Sequence, residues 1–131
     1  MGISWLRSAA FWSLLTVALA VQGCSDDGLA PFQPEITSAT DNFQFQATGV
    51  RDLSGSYSYD WQNSGSRAKV NHSTSTTAGE ARLTIRDAGG TVVYDDVLVP
   101  SLDDTTSTGV AGTWRVQLTM TAYSGSLNFR V

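Results

Sequence analysis

Several residue types that usually carry site chemistry are scarce in this 131-residue sequence, which has one cysteine, one histidine and three prolines. A single cysteine excludes an intramolecular disulfide, and one Cys with one His cannot complete a tetrahedral zinc site without carboxylates. Basic residues are few and scattered, eight against twelve acidic ones. The chain therefore lacks the cationic patch of a nucleic-acid-binding protein, and we expect no nucleic-acid partner, metal or cofactor.

An apolar run long enough to span a bilayer is also missing. Residues 9–21 are apolar except for two hydroxyl residues and follow the basic Arg7, but a membrane helix needs roughly 20 apolar residues. This arrangement is typical of a secretory signal peptide, which we place at residues 1–23. A retained amphipathic or membrane helix is the alternative. Cleavage before Cys24 removes one basic residue and no acidic one, which leaves a formal net charge of −5.

The residues before the only cysteine, Val21-Gln22-Gly23-Cys24, resemble the lipobox of bacterial lipoprotein signal peptides. The resemblance implies cleavage between Gly23 and Cys24 and a diacylglyceryl group on the Cys24 thiol. Two or more acyl chains hold a protein stably on a membrane. Ser25 at the next position, rather than Asp, implies sorting to the outer membrane in the Gram-negative members of this class. A free reactive thiol or an intermolecular disulfide is the alternative for Cys24.

A short stretch with Pro31 and Pro34 follows the cysteine. Because proline extends a chain and large apolar residues are few here, we predict that residues 24–38 comprise the lipidated Cys and a flexible tether. We predict that residues 39–131 form one folded domain.

Apolar and polar residues alternate with a period of two throughout this domain. The alternation predicts half-buried strands, and Asp87-Ala88-Gly89-Gly90 is typical of a hairpin turn. We predict an all-β fold, a single antiparallel, jelly-roll-like β-sandwich of seven or eight strands after an N-terminal signal helix and the tether. The predicted strands are residues 43–47, 56–62, 67–72, 81–86, 91–94, 97–99, 113–122 and 127–131, with loops or frayed edges at 73–79 and 101–109.

Residues 81–131, "ARLTIRDAGGTVVYDDVL" through "AGTWRVQLTMTAYSGSLNFRV", resemble the second half of the jelly-roll domains appended to secreted bacterial peptidases, the pre-peptidase C-terminal type. They also resemble small uncharacterised bacterial lipoproteins with the same ending. The resemblance implies a β-sandwich fold and a non-catalytic accessory role, sometimes with binding.

Three rings on one face of a predicted strand, Tyr57, Tyr59 and Trp61, are a candidate platform for stacking sugars. Their neighbours on the other face are polar, so the alternation favours a place in the core. Trp114 lies in an aliphatic stripe and is expected in the core as well.

His72 is the candidate for a small hydrolase, since catalytic Ser and Asp partners need only be adjacent in space. The chain has no Gly-x-Ser-x-Gly elbow, so we expect no catalytic residue and no enzyme. Asp95, Asp96, Asp103 and Asp104 offer oxygen atoms for calcium, but they lack the spacing of a calcium loop and are expected to be solvated.

Arg82, Arg86 and Arg115 lie on polar faces, where we expect them to keep a sheet surface soluble rather than bind an anion. The sequence thus predicts a lipid-anchored envelope protein whose β-sandwich is a non-enzymatic binding or structural module. An envelope glycan or protein is the expected partner. A carbohydrate-binding module using Tyr57, Tyr59 and Trp61, and a hydrolase using His72, are the alternatives.

Overall fold

The computed structural model describes residues 28–131, and these form an all-β domain of one antiparallel sheet with seven strands. After a single 3-10 turn, Ala30–Phe32, the strands are β1 (Glu35–Ala39), β2 (Asn42–Asn63), β3 (Lys69–His72), β4 (Ser75–Arg86), β5 (Val92–Val97), β6 (Leu102–Thr105) and β7 (Gly112–Arg130). No helix among residues 28–131 is long and apolar enough to cross a membrane.

Two very long strands, β2 and β7, pair along most of their length and form the centre of the sheet. Their pairing shifts register between Ala47 and Gly55, and β4 shifts against β7 between Thr76 and Glu80. Positive φ angles accompany these shifts at Gly49, Asp52, Gly55, Gly79, Ala122 and Gly125. Because bulges and left-handed residues bend strands sharply, the sheet folds over at this level into two layers.

The first layer contains β1, β3, β6, the start of β2 and the end of β7. The second layer contains β5, most of β4, the end of β2 and the start of β7. We call the folded side, residues 47–55, 76–80 and 120–126, the bend end. The opposite side, with the connections 40–41, 64–68, 87–91 and 106–111, is the open end.

The core lies between the two layers and is rich in aromatic rings. Phe45 stacks on Phe129 in the first layer at 5.3 Å, and Tyr59 of the second layer lies 5.9 Å from Phe45. Trp61 packs edge-on against Trp114 at 5.9 Å and donates its Nε1–H to the carbonyl oxygen of Ala39 in the first layer. Offset and edge-on ring pairs of this kind stabilise a core beyond the area that they bury.

The predicted fold class is confirmed, while several predicted element bounds are wrong. The strands predicted at 43–47 and 56–62 are parts of the single strand β2, and those at 113–122 and 127–131 fall in β7, which ends at Arg130. The stretch 97–99 is not a strand of its own, since β5 ends at Val97. β4 begins within the loop predicted at 73–79, and β6 lies within the one predicted at 101–109.

The segment before residue 39 also differs from the expected tether. β1 pairs with β2 from Glu35 to Ala39, and Leu29 is buried in the core. Residues 28–38 are therefore packed on the sheet rather than extended away from it. The rest of the predicted tether, residues 24–27, lies outside the described residues.

Candidate functional site

The outer face of the first layer carries a row of polar side chains that runs across five strands. The sheet register pairs Thr37 with Gln44, Gln44 with Arg130, Arg130 with Asn71, and Asn71 with Asp103. Side chains on adjacent strands at paired positions lie on the same face, close enough to act together. Four of these side chains are exposed, and Gln44 is half-buried. We call this row and its flanking residues Glu35, Gln46, Asn128, Lys69 and Thr105 the polar face.

Two depressions lie on the polar face, and both are lined by Arg130. One has a volume of about 580 Å³ and is bounded by Lys69, Asn71 and Asp103. The other, of about 180 Å³, is bounded by Glu35, Gln44 and Asn128. The Asn71 amide donates to the Asp103 carboxylate, which orients both groups at the rim of the larger depression.

The cations of the polar face differ from those of the second layer in their partners. In the second layer, the Arg82 guanidinium lies 2.9 Å from the Asp95 carboxylate, and Arg115 lies 3.3 Å from Asp60. Within residues 28–131, neither Lys69 nor Arg130 has a carboxylate at ion-pair distance. The charges of Lys69 and Arg130 are therefore available to a ligand, while two of the second-layer arginines are already paired.

This arrangement can recognise a polar ligand by hydrogen bonds, with donors from Arg130, Lys69 and the Asn and Gln amides, and acceptors from Asp103 and the amide oxygens. Among residues 28–131, no group of three or more His, Cys, Asp and Glu side chains is placed to hold a metal ion.

The candidate aromatic platform lies on the inner side of the sheet. Trp61 is 2 % exposed, and Tyr57 and Tyr59 are partly buried against the core. Tyr59 lies between the rings of Phe43 and Phe45, at 5.9 Å from each. The core placement favoured by the alternation is confirmed for Trp61, and Tyr57 and Tyr59 pack against the core instead of forming an open platform for a sugar.

His72 is 1 % exposed and holds two hydrogen bonds inside the core. Its Nδ1 accepts from the backbone N–H of Val99 at 3.3 Å, so the ring proton is on Nε2, which donates to the Tyr94 hydroxyl at 2.8 Å. Burial lowers the pKa of His72 against the opposing charges of Asp96 and Asp104. Burial likewise raises the pKa of Tyr94 to about 12. Burial thus favours the neutral form of the ring, both of its nitrogens are hydrogen-bonded, and the side chain is out of reach of a substrate.

The four candidate calcium ligands are spread over two strands. Asp95 accepts hydrogen bonds from Arg82 and Thr84, and these hold its pKa below the usual range. Asp103 is engaged with Asn71 on the polar face, and Asp96 and Asp104 are exposed. Arg115 is exposed and Arg86 is half-buried, and the two lie at paired positions of β7 and β4 in the second layer.

The residues that carry the lipobox resemblance, Gly23, Cys24 and Ser25 among them, lie outside the described residues. The polar face was not predicted as a site. In the sequence, its residues are only the polar positions of alternating strands. No short stretch of sequence indicates that Gln44 and Arg130 are neighbours in the sheet. No family model, curated protein or solved structure matches the chain.

Proposed function

We propose that this is a lipid-anchored envelope protein whose β-sandwich binds a polar envelope component, a glycan or a protein, without catalysing a reaction. The Val21-Gln22-Gly23-Cys24 motif after an apolar run carries the anchoring part of the proposal. Ser25 after the lipidated cysteine favours the outer membrane.

The binding part of the proposal is supported by the polar face. It combines two available cations, amide groups and a carboxylate across one layer, with depressions on both sides of Arg130. The burial of His72 in a closed hydrogen-bond pair gives no support to a hydrolase. The burial of Trp61 and the packing of Tyr57 and Tyr59 likewise give none to stacking of sugars.

The anchoring is tested by metabolic labelling with palmitate in a bacterial host that processes lipoproteins. The wild-type chain should incorporate label, and Cys24→Ala should incorporate none and keep its signal peptide. Equal processing of both chains without label would contradict the anchoring.

The binding is tested by capture of envelope polysaccharide, peptidoglycan fragments and envelope proteins on vesicles that carry the lipidated protein. Arg130→Ala and Asn71→Ala should lower capture several-fold because each removes donors from the polar face. Arg115→Ala is the matched control, because Arg115 is an exposed arginine of the second layer, and this variant should not lower capture. Equal capture by all variants, or no capture by the wild type, would contradict a binding role for this face.

A further inference from the structure

The segment that leads into the sheet is docked tightly at its first described residue. A Cβ on Gly28 would lie 2.6 Å from the Tyr57 hydroxyl and 2.8 Å from Cδ1 of Leu53, so only glycine fits there without a shift. The next residue, Leu29, is 1 % exposed and belongs to the hydrophobic core. The chain is therefore fixed to the domain from residue 28 onward.

This docking point lies at the bend end of the sandwich. Leu53 lies within the folded stretch of β2, and Tyr57 follows it by four residues on the same strand. From there the chain passes through the 3-10 turn to Glu35, which pairs with Gln46 just before the bend. The chain thus enters the domain at the bend end and runs along β1 toward the open end.

The distance available between the lipid and the domain is short. Three residues separate Cys24 from Gly28. A fully extended chain covers at most about 3.6 Å per residue, so the four steps from Cys24 to Gly28 span at most about 14 Å. In β2, the span from Gly55 to Asn63 alone is about 26 Å at the rise of a β-strand. A connection of that length keeps the bend end close to the lipid, whereas the open end lies about 26 Å further along the strands.

We propose that the bend end faces the lipid bilayer and that the open end points away from it. The inference rests on the proposed lipidation of Cys24. The exposed side chains at this end are polar or small, which suits contact with lipid headgroups. They include hydroxylated residues such as Thr48 and Thr77 and the charged Arg51, Asp52 and Glu80. The connections at 64–68, 87–91 and 106–111 are then held outermost, and the polar face stands beside the membrane within reach of an envelope partner.

Energy transfer from a dye on the protein to an acceptor lipid tests this orientation. The lipidated protein is reconstituted in vesicles of phosphatidylethanolamine and phosphatidylglycerol with acceptor-labelled headgroups. Ala78→Cys places a single free thiol at the bend end, and Ser66→Cys places one at the open end. Both positions are exposed, and the chain has no other cysteine once Cys24 is a thioether. Transfer should be several-fold higher from position 78 than from position 66.

A longer connection provides the control. A flexible Gly-Ser insert of about ten residues between Asp27 and Gly28 frees the domain to turn, so the difference between the two positions should shrink. Equal transfer from both positions in a protein whose mass shows the lipid would overturn the orientation alone. A protein without lipid would overturn the proposed anchoring and the orientation with it.

Discussion

His72 and Tyr94 join the two layers of the sandwich through a buried hydrogen bond of 2.8 Å between the imidazole Nε2 and the phenolic oxygen. His72 belongs to β3 in the first layer, and Tyr94 to β5 in the second. The rings also meet edge-on at 6.0 Å. A polar pair of this kind is stabilising only while both partners are satisfied, because either group alone would be left unpaired in the core.

Tyr94→Phe removes the hydroxyl and leaves the Nε2–H of His72 buried without an acceptor. We expect a loss of about 1–3 kcal/mol in the free energy of unfolding, measured by urea denaturation. Tyr123→Phe is the matched control, because its hydroxyl makes only longer contacts, 3.3 Å to the Ser75 oxygen and 3.4 Å to Thr76. Similar losses in the two variants would contradict the role given to the His72–Tyr94 pair.

Stability should fall as the pH is lowered from about 6.5 to about 5.5, and His72 should be the main cause. Burial lowers its pKa in the folded protein below 6.5, so the unfolded chain takes up the proton first as the pH falls. The contribution of the neutral His72 to stability is complete above pH 6.5 and is lost as the pH falls below it. The free energy of unfolding should change by at most about 1.4 kcal/mol per pH unit from this group.

His72→Gln, which cannot titrate, isolates this effect because the chain has no other histidine. Urea denaturation across the same pH range should give a clearly flatter dependence for the variant than for the wild type. The same slope in both proteins would mean that another group is responsible.

The bend in β4 depends on a glycine that no other residue can replace. Gly79 has φ +73°, and a Cβ there would lie 2.1 Å from the carbonyl oxygen of Ala122. Gly49 has a similar φ of +67° but open space around it. Gly49→Ala should cost about 1–2 kcal/mol for the left-handed backbone alone.

Gly79→Ala should cost considerably more than Gly49→Ala, or prevent folding, because the clash is with backbone atoms. Thermal denaturation of the two purified variants checks the difference. A Gly79→Ala protein as stable as Gly49→Ala would contradict the close approach of β4 and β7 at the bend.

Asp87 organises the open end by accepting three backbone hydrogen bonds. Its Oδ1 accepts from Gly89 at 3.0 Å and Thr91 at 2.8 Å, and its Oδ2 from Val110 at 2.9 Å. The hydrogen bonds from Val110 and Thr91 hold the pKa of Asp87 below 3.8. The stability that the ionised carboxylate contributes is therefore present above pH 3.8 and lost as the pH falls below it.

Asp87→Ala should therefore destabilise the protein and increase hydrogen exchange at the Val110 amide. Asp96→Ala is the control, since that carboxylate accepts only from its neighbour Val97. Equal protection of the Val110 amide in both variants would mean that Asp87 does not link the connection 87–91 to the connection 106–111.

The sequence predicted which residues are buried more reliably than where strands begin and end. Alternation correctly put Trp61 and Trp114 in the core, since burial of one face imposes a period of two. It could not predict that β2 and β7 continue through the bend. Two of the left-handed residues there, Asp52 and Ala122, are not glycine and give no local signal.

The strands that the sequence did not predict, β1 and β6, have no buried face and so show no alternation of apolar and polar residues. All five residues of β1 are exposed, and β6 has the sequence Leu-Asp-Asp-Thr, which is typical of a loop. The polar face was missed for a related reason. It is assembled from five strands by pairing, and pairing between residues as distant as Gln44 and Arg130 is a property of the whole fold.

The intact mass of the mature protein, extracted from the membranes of a lipoprotein-processing host, tests the central claim most directly. We expect a chain that begins at Cys24 and carries the mass of a diacylglyceryl group on the thiol, with or without a further acyl chain on the new amino group. A mature chain that begins elsewhere, or one that begins at Cys24 with an unmodified thiol, would contradict it.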